Sequence, residues 1–121
     1  MTREDVIALC KSFPEAVQDC PFGNGVAVFK VGGRIFALVS LDGDMGSINL
    51  KCDPDIALDL RARHPAVRPG YHQDKRHWNT VELDGSIADD SLEELIEHSY
   101  ELVVGQLPRA LRTRILGRSN G

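Results

Sequence analysis

The chain has few of the residues that usually announce a chemistry. Its three cysteines, Cys10, Cys20 and Cys52, are odd in number and widely spaced. No Cys-x-x-Cys occurs, and no two histidines stand four apart on a helical pattern. A disulfide framework and a zinc-type ligand set are therefore not expected, and the thiols read as reduced. Asp42-Gly43-Asp44 opens like a calcium loop, but Gly46 and Ser47 then occupy the wrong positions, so no metal is expected. No serine sits in a Gly-x-Ser-x-Gly turn, and there is no Gly-x-x-x-x-Gly-Lys phosphate loop. Gly23-Asn24-Gly25 is too short for a dinucleotide fingerprint. With no complete catalytic motif, the chain is expected to be non-enzymatic and to need no cofactor. Its apolar runs are only a few residues long, far short of the roughly 20 that span a bilayer. Met1-Thr2-Arg3-Glu4-Asp5 opens on charge without an apolar signal core, so a cytoplasmic protein without a membrane partner is expected.

What is present fits one domain over residues 1–121, with 42% apolar residues and no low-complexity segment. Net charge is −4, which counts against a general nucleic-acid binder. The charges are unevenly placed, however. Arg61, Arg63, Arg68, Lys75 and Arg76 are followed by a stretch from Glu82 to Glu101 whose Asp and Glu have no Lys or Arg among them. The tail returns to Arg109, Arg112, Arg114 and Arg118, which fall as two pairs on different sides of a helix.

Thr2 with Asp5 predicts a capped first helix, with Val6, Ile7, Leu9, Cys10 and Phe13 on its apolar side and Pro14 at its end. From Val26 to Leu41 the period changes to two, and Gly32-Gly33 reads as a two-residue hairpin. Counting outward pairs Val31 with Arg34, Lys30 with Ile35 and Phe29 with Phe36. Phe29, Phe36, Ala27 and Leu38 are then expected on one face. Val26, Val28, Ala37 and Val39 share the other with Lys30 and Ile35. Ser47 to Lys51 continues the meander, with Ile48 and Leu50 pointing opposite to Ser47, Asn49 and Lys51. Asp53-Pro54 starts a second helix with Ile56, Ala57 and Leu60 as its buried stripe, and His64-Pro65 ends it. A loop or short strand follows, then a strand from His77 to Leu83. Leu92, Leu95, Ile96, Ser99, Leu102 and Val103 mark the clearest helix, closed by Gly105. Pro108 begins a last short helix anchored by Leu111 and Ile115, with a frayed end from Gly117. The order predicts an α+β fold, an antiparallel sheet of about five strands with helices packed against it.

The densest cluster of polar, cationic and aromatic groups is Tyr71-His72-Gln73-Asp74-Lys75-Arg76-His77-Trp78-Asn79. Lys75 and Arg76 suit phosphates, and Tyr71, His72 or Trp78 suit a base or sugar. The plainer alternative makes Trp78 core at a strand start and Lys75-Arg76 a solvated turn. Asn79 and Trp78 alternate faces and so belong to different surroundings. Lys51, at a strand end, adds charge to the same surface or is an ordinary exposed lysine. His72 and His77 are candidate acids or bases without an identifiable partner. Cys52, beside Lys51 and before a helix start, is either a low-pKa thiol or a buried structural one.

Several motifs in order resemble the MmcQ/YjbR family of small bacterial proteins. They are Val28-Phe29-Lys30-Val31-Gly32-Gly33-Arg34-Ile35-Phe36-Ala37-Leu38, Ile48-Asn49-Leu50-Lys51-Cys52-Asp53-Pro54, Pro69-Gly70-Tyr71-His72, Lys75-Arg76-His77-Trp78-Asn79-Thr80 and His98-Ser99-Tyr100. The resemblance implies a double-wing fold similar to that of frataxin-like CyaY. It also implies a DNA-binding or regulatory role. The matched positions that would carry it are Lys51, Tyr71, His72, Lys75, Arg76, His77, Trp78 and Asn79. Two other uses of the same protein remain open. One is binding of a nucleotide or phosphorylated small molecule, with or without catalysis. The other is a protein-interaction or frataxin-like metal-handling role for the acidic helix from Asp89 to Glu101.

Overall fold

The computed structural model describes residues 1–19, 25–70 and 73–119, of which residues 118 and 119 are described by backbone alone. Cys20, Tyr71 and His72 therefore lie outside the described residues. The elements in order are α1 (Arg3–Ser12), β1 (Val17–Asp19), β2 (Val26–Val31), β3 (Arg34–Ser40), β4 (Ser47–Lys51), α2 (Pro54–Arg63), β5 (Val67–Pro69), β6 (Trp78–Glu82), α3 (Asp89–Gly105) and α4 (Arg109–Ser119). The fold is α+β, with one antiparallel sheet ordered β1-β2-β3-β4-β6-β5. The sheet has six strands rather than about five. The extra strand, β1, is three exposed residues on the sheet edge and carries no alternation to betray it.

Local signals place the helix starts. Thr2 Oγ1 accepts from the Asp5 amide at 3.1 Å, and the Thr2 amide donates to Asp5 Oδ2 at 2.9 Å, closing a capping box. Asp53 Oδ1 accepts from the Asp55 amide at 3.0 Å ahead of Pro54. Ile56 is exposed rather than part of the α2 stripe, and Ala57 is the buried residue. α4 continues through Gly117 to Ser119, so the expected frayed end is helical as far as it is described.

Gly32 and Gly33 form the hairpin turn with φ of 58° and 81°, values that glycine adopts without strain. The first two pairings beyond it are as counted, Val31 with Arg34 and Lys30 with Ile35. Phe29 then pairs with Ala37, not Phe36. Phe36 is an extra residue, a β-bulge, which resets the faces of β3. Ala27, Phe29, Val31, Phe36, Ala37 and Val39 all enter the main core with Ile48, Leu50 and Val81. α1, α3 and α4 bury Val6, Cys10, Leu92, Ile96, Tyr100 and Ile115 in the same core. Val28 and Leu38 are also buried, on the second face of the sheet. There they fall in one row with Asn49, Thr80 and Arg68.

Ser99 is fully buried on α3 and sits at the bulge. Its hydroxyl accepts from the Lys51 amide at 2.8 Å and donates to the Phe36 carbonyl at 2.6 Å. The β3–β4 register stops at Ala37 with Leu50, so these two backbone groups are the ones the ladder leaves open. The serine replaces a missing rung and pins the end of β4 where Lys51 stands.

Candidate nucleic-acid interface

Strand direction gathers the site. β3 begins, β4 ends, β5 ends and β6 begins at the same end of the sheet. Arg34, Lys51, Gly70 and Trp78 therefore converge from sequence positions far apart. Lys51 and Trp78 are direct cross-strand partners and leave the sheet on its second face, with the Lys51 side chain then reaching past the strand end to α3. Asn79, one residue on, pairs with Leu50 and faces the helices.

That orientation removes Asn79 from the expected contact surface. It is 2% exposed, its Oδ1 accepts from Arg61 Nε at 2.6 Å and its Nδ2 donates to the Ala57 carbonyl at 3.4 Å. A buried amide with both ends engaged is a fastening between β6 and α2, not a ligand contact.

The turn before β6 is built by Asp74. Its Oδ1 accepts from the Arg76 amide at 2.9 Å and its Oδ2 meets His77 Nδ1 at 2.8 Å. The bond to His77, then the Arg76 amide, hold the Asp74 carboxyl below its ordinary value. The His77 carbonyl accepts from the Cys52 amide at 2.7 Å, tying the turn to the end of β4. Arg61 completes the support. Its Nη2 donates to the Lys75 carbonyl and, at 3.2 Å, to the Trp78 carbonyl. Gly70 lies against β6 so closely that a Cβ there would stand 2.7 Å from Trp78 Cβ. Lys75 Nζ donates to the Gly70 carbonyl at 3.3 Å.

Lys51 Nζ donates to Gln106 Oε1 at 2.9 Å, at the C-terminal end of α3. Burial lowers the Lys51 ammonium pKa, the neighbouring Arg34 guanidinium lowers it further, and Asp74 partly offsets both. Two cations close enough to repel one another favour an anion nearby, with Asp74 offsetting part of that field. Four other cations have acidic partners, Lys30 with Asp19 at 3.4 Å, Arg63 with Asp59 at 2.9 Å, Arg114 with Glu15 at 2.6 Å, and Arg68 with Glu82, while Arg3 and Arg112 donate to backbone carbonyls. Among the described residues Arg34, Lys51, Lys75 and Arg76 form no ion pair with a carboxylate.

Cys52 is buried, and burial pushes its thiol up to about 11, which removes the low-pKa reading. The gap between α2, α3 and the sheet beside it, bounded by Leu60, Asn79 and Leu95, has about 10 Å³, room for no more than a water. A wider depression of about 460 Å³ lies at the opposite end of the sheet and is bordered by Asp5, Asp44, Asp84 and Asp89. Among the described residues no three His, Cys, Asp or Glu converge in a metal-binding group, and no helix is long and apolar enough to cross a membrane.

The structure thus brings together Lys51, Lys75, Arg76, His77 and Trp78, and turns Asn79 inward. Sequence reasoning missed Arg34, Arg61 and Gln106. Arg34 was accessible by following the meander, since the first residue of β3 and the last of β4 must share an end. Arg61 had a weaker signal, one turn after Ala57 on the sheet-facing side of α2.

The YjbR family pattern matches residues 11–102. The protein YjbR of Escherichia coli K12 is 35% identical over 112 residues, covering 93% of this chain and 95% of that one. YbdF of Escherichia coli O157:H7 is 40% identical over 95 residues, 78% of each chain. The crystal structure of Deinococcus radiodurans DR2400, a DUF419 domain, superposes with a TM-score of 0.88 at 37% identity, over 94% of this chain and 87% of that one. Matching helices, sheet and motifs over this span make the chain a member of the YjbR family.

Proposed function

We propose that the chain is a non-catalytic DNA-binding or regulatory protein that contacts phosphates through Arg34, Lys51, Lys75 and Arg76. The observation that carries the reading is the set of cations at one end of the sheet that form no ion pair with a carboxylate among the described residues, beside a half-buried tryptophan. Phosphate contacts need accessible charge on a supported backbone, and Asp74, Arg61 and Gly70 supply that support. A long polyanion suits a row of surface cations, and the gap beside Cys52, at about 10 Å³, is too small to hold a metabolite itself. The 460 Å³ depression at the far end is bordered by five acids against Arg3 and the Met1 amine, a net acidic lining that suits phosphate less. Net charge of −4 does not oppose the reading, because potential at a surface follows local placement.

Anisotropy of a labelled duplex at about 50 and 200 mM salt tests it. Each phosphate contact contributes roughly −0.9 to the log–log slope of affinity against salt. Lys75→Ala with Arg76→Ala is expected to weaken binding and flatten that slope by about two contacts' worth. Unchanged affinity in the double variant removes this surface from the function.

A further inference from the structure

We propose that this end of the sheet is specialised for single-stranded nucleic acid, with Trp78 stacking on a base and Lys51 meeting the adjoining phosphate. The inference rests on the phosphate-binding reading above and narrows its partner. Phosphate binding by itself leaves Trp78 without a role. The indole is half-buried, not core, although the neighbouring Asn79, Thr80 and Val81 are all buried. Its cross-strand partner is Lys51, whose ammonium is carried to Gln106 at the end of α3, so ring and ammonium flank the same end of the sheet. A strand can lay one base on the ring and run its phosphates past the ammonium.

A duplex cannot use that pairing. Its bases are stacked inside and it offers a flat surface only phosphates and groove edges. Reading a duplex by its bases needs a helix or ribbon that enters a groove. Here α1, α3 and α4 bury their apolar residues in the core on the first face, away from Trp78. An unpaired strand presents bases and phosphates together, and an aromatic beside a cationic rim is the arrangement that such strands need. Lys75, bonded to the Gly70 carbonyl beside Trp78, and Arg76 extend the cationic rim next to the ring, which lets the backbone continue past the stacked base.

The chain holds one tryptophan, so intrinsic emission reports this position alone. The experiment titrates the protein with oligo-dT and oligo-U of about 12 nucleotides, within the usual span of a small single-strand site. A third titration uses duplex DNA with the same number of phosphates, all at about 50 mM salt. The single strands are expected to quench Trp78 emission and to bind about tenfold or more tighter than the duplex. Quenching by either oligo-dT or oligo-U supports the inference, and their ratio identifies DNA or RNA as the source. Trp78→Phe is expected to keep most of the affinity, and Trp78→Ala to lose about tenfold. If Trp78→Ala fails to fold, the quench and the Phe variant still decide. Equal affinity for strand and duplex without a quench overturns the single-strand inference and leaves phosphate binding standing. No binding of any of the three polymers overturns both.

Discussion

Asp74 is an acid placed inside a cationic segment, and its position explains the segment's shape. Its two oxygens hold the Arg76 amide and the His77 ring, so the loop's only acid is spent on the loop's own geometry. A carboxyl held below its ordinary value of 3.8 stabilises the fold at pH above that value. The contribution falls as pH drops through 3.8 and is lost once the folded-state carboxyl itself protonates. Asp74→Ala is therefore expected to lower the urea midpoint near pH 6, and the gap from the parent should narrow as pH falls below the ordinary value of 3.8. A gap that stays constant across that range contradicts the role assigned to Asp74. Arg61 does complementary work from the other side, donating to two carbonyls of the same segment and to Asn79. Lysine could not reproduce this fan of donors. Neither role was legible in the sequence, where Asp74 and Arg61 are ordinary charges. The alternation of Trp78 and Asn79 was legible, because strand period is a local property.

At the level of elements, Ser99 is the joint between α3 and the sheet. It lies 63 positions from Phe36 and 48 from Lys51, and bonds the backbone of both. Replacing it by alanine strands a buried amide and a buried carbonyl, a loss of about 1–3 kcal/mol. Chemical denaturation should read that loss, and amide exchange should quicken at Lys51 more than at Ile48, which stays in the ladder. Loss of stability without faster exchange at Lys51 places the effect elsewhere. The same joint marks where reading from sequence stopped. Gly32-Gly33 located the turn because two glycines specify it locally. The bulge at Phe36 could not be counted from that turn, because it depends on a helix that arrives 63 residues later. Phe36 and Ala37 both end in the core for that reason, against the strict alternation expected of β3. Ser99 had already been placed in the apolar stripe of α3, and a hydroxyl in such a stripe is the trace such a joint leaves. β1 left none, being three exposed residues that pair with β2.

Across the whole molecule, the antiparallel sheet gathers four cations at one end, around Asp74, and four acids at the other, around Arg3. Arg34, Lys51, Lys75 and Arg76 stand at one end, and Asp42, Asp44, Asp84 and Asp89 at the other. The acids have duties there: Asp89 opens α3 where its dipole favours anions, and meets the Met1 amine at 2.5 Å. A sum of −4 is blind to this placement, which is why composition argued against a phosphate-binding surface while one end of the sheet is rich in cations that form no carboxylate ion pair among the described residues. Placement and sum are separable by experiment. Lys75→Gln with Arg76→Gln and Lys11→Gln with Arg63→Gln lower the net charge by the same amount. Lys11 and Arg63 are exposed on α1 and α2, and the Arg63–Asp59 pair on a helix surface is worth only about 0.3–0.5 kcal/mol. Both double variants should therefore fold. If affinity for nucleic acid follows placement, the first pair should reduce it about tenfold or more at low salt, and the second should leave it within about twofold. If the two fall together, the molecule acts as a diffuse charge and no end of the sheet is a site. A loss confined to Lys75 and Arg76 would tie function to the end of the sheet that Ser99, Arg61 and Asp74 hold in place.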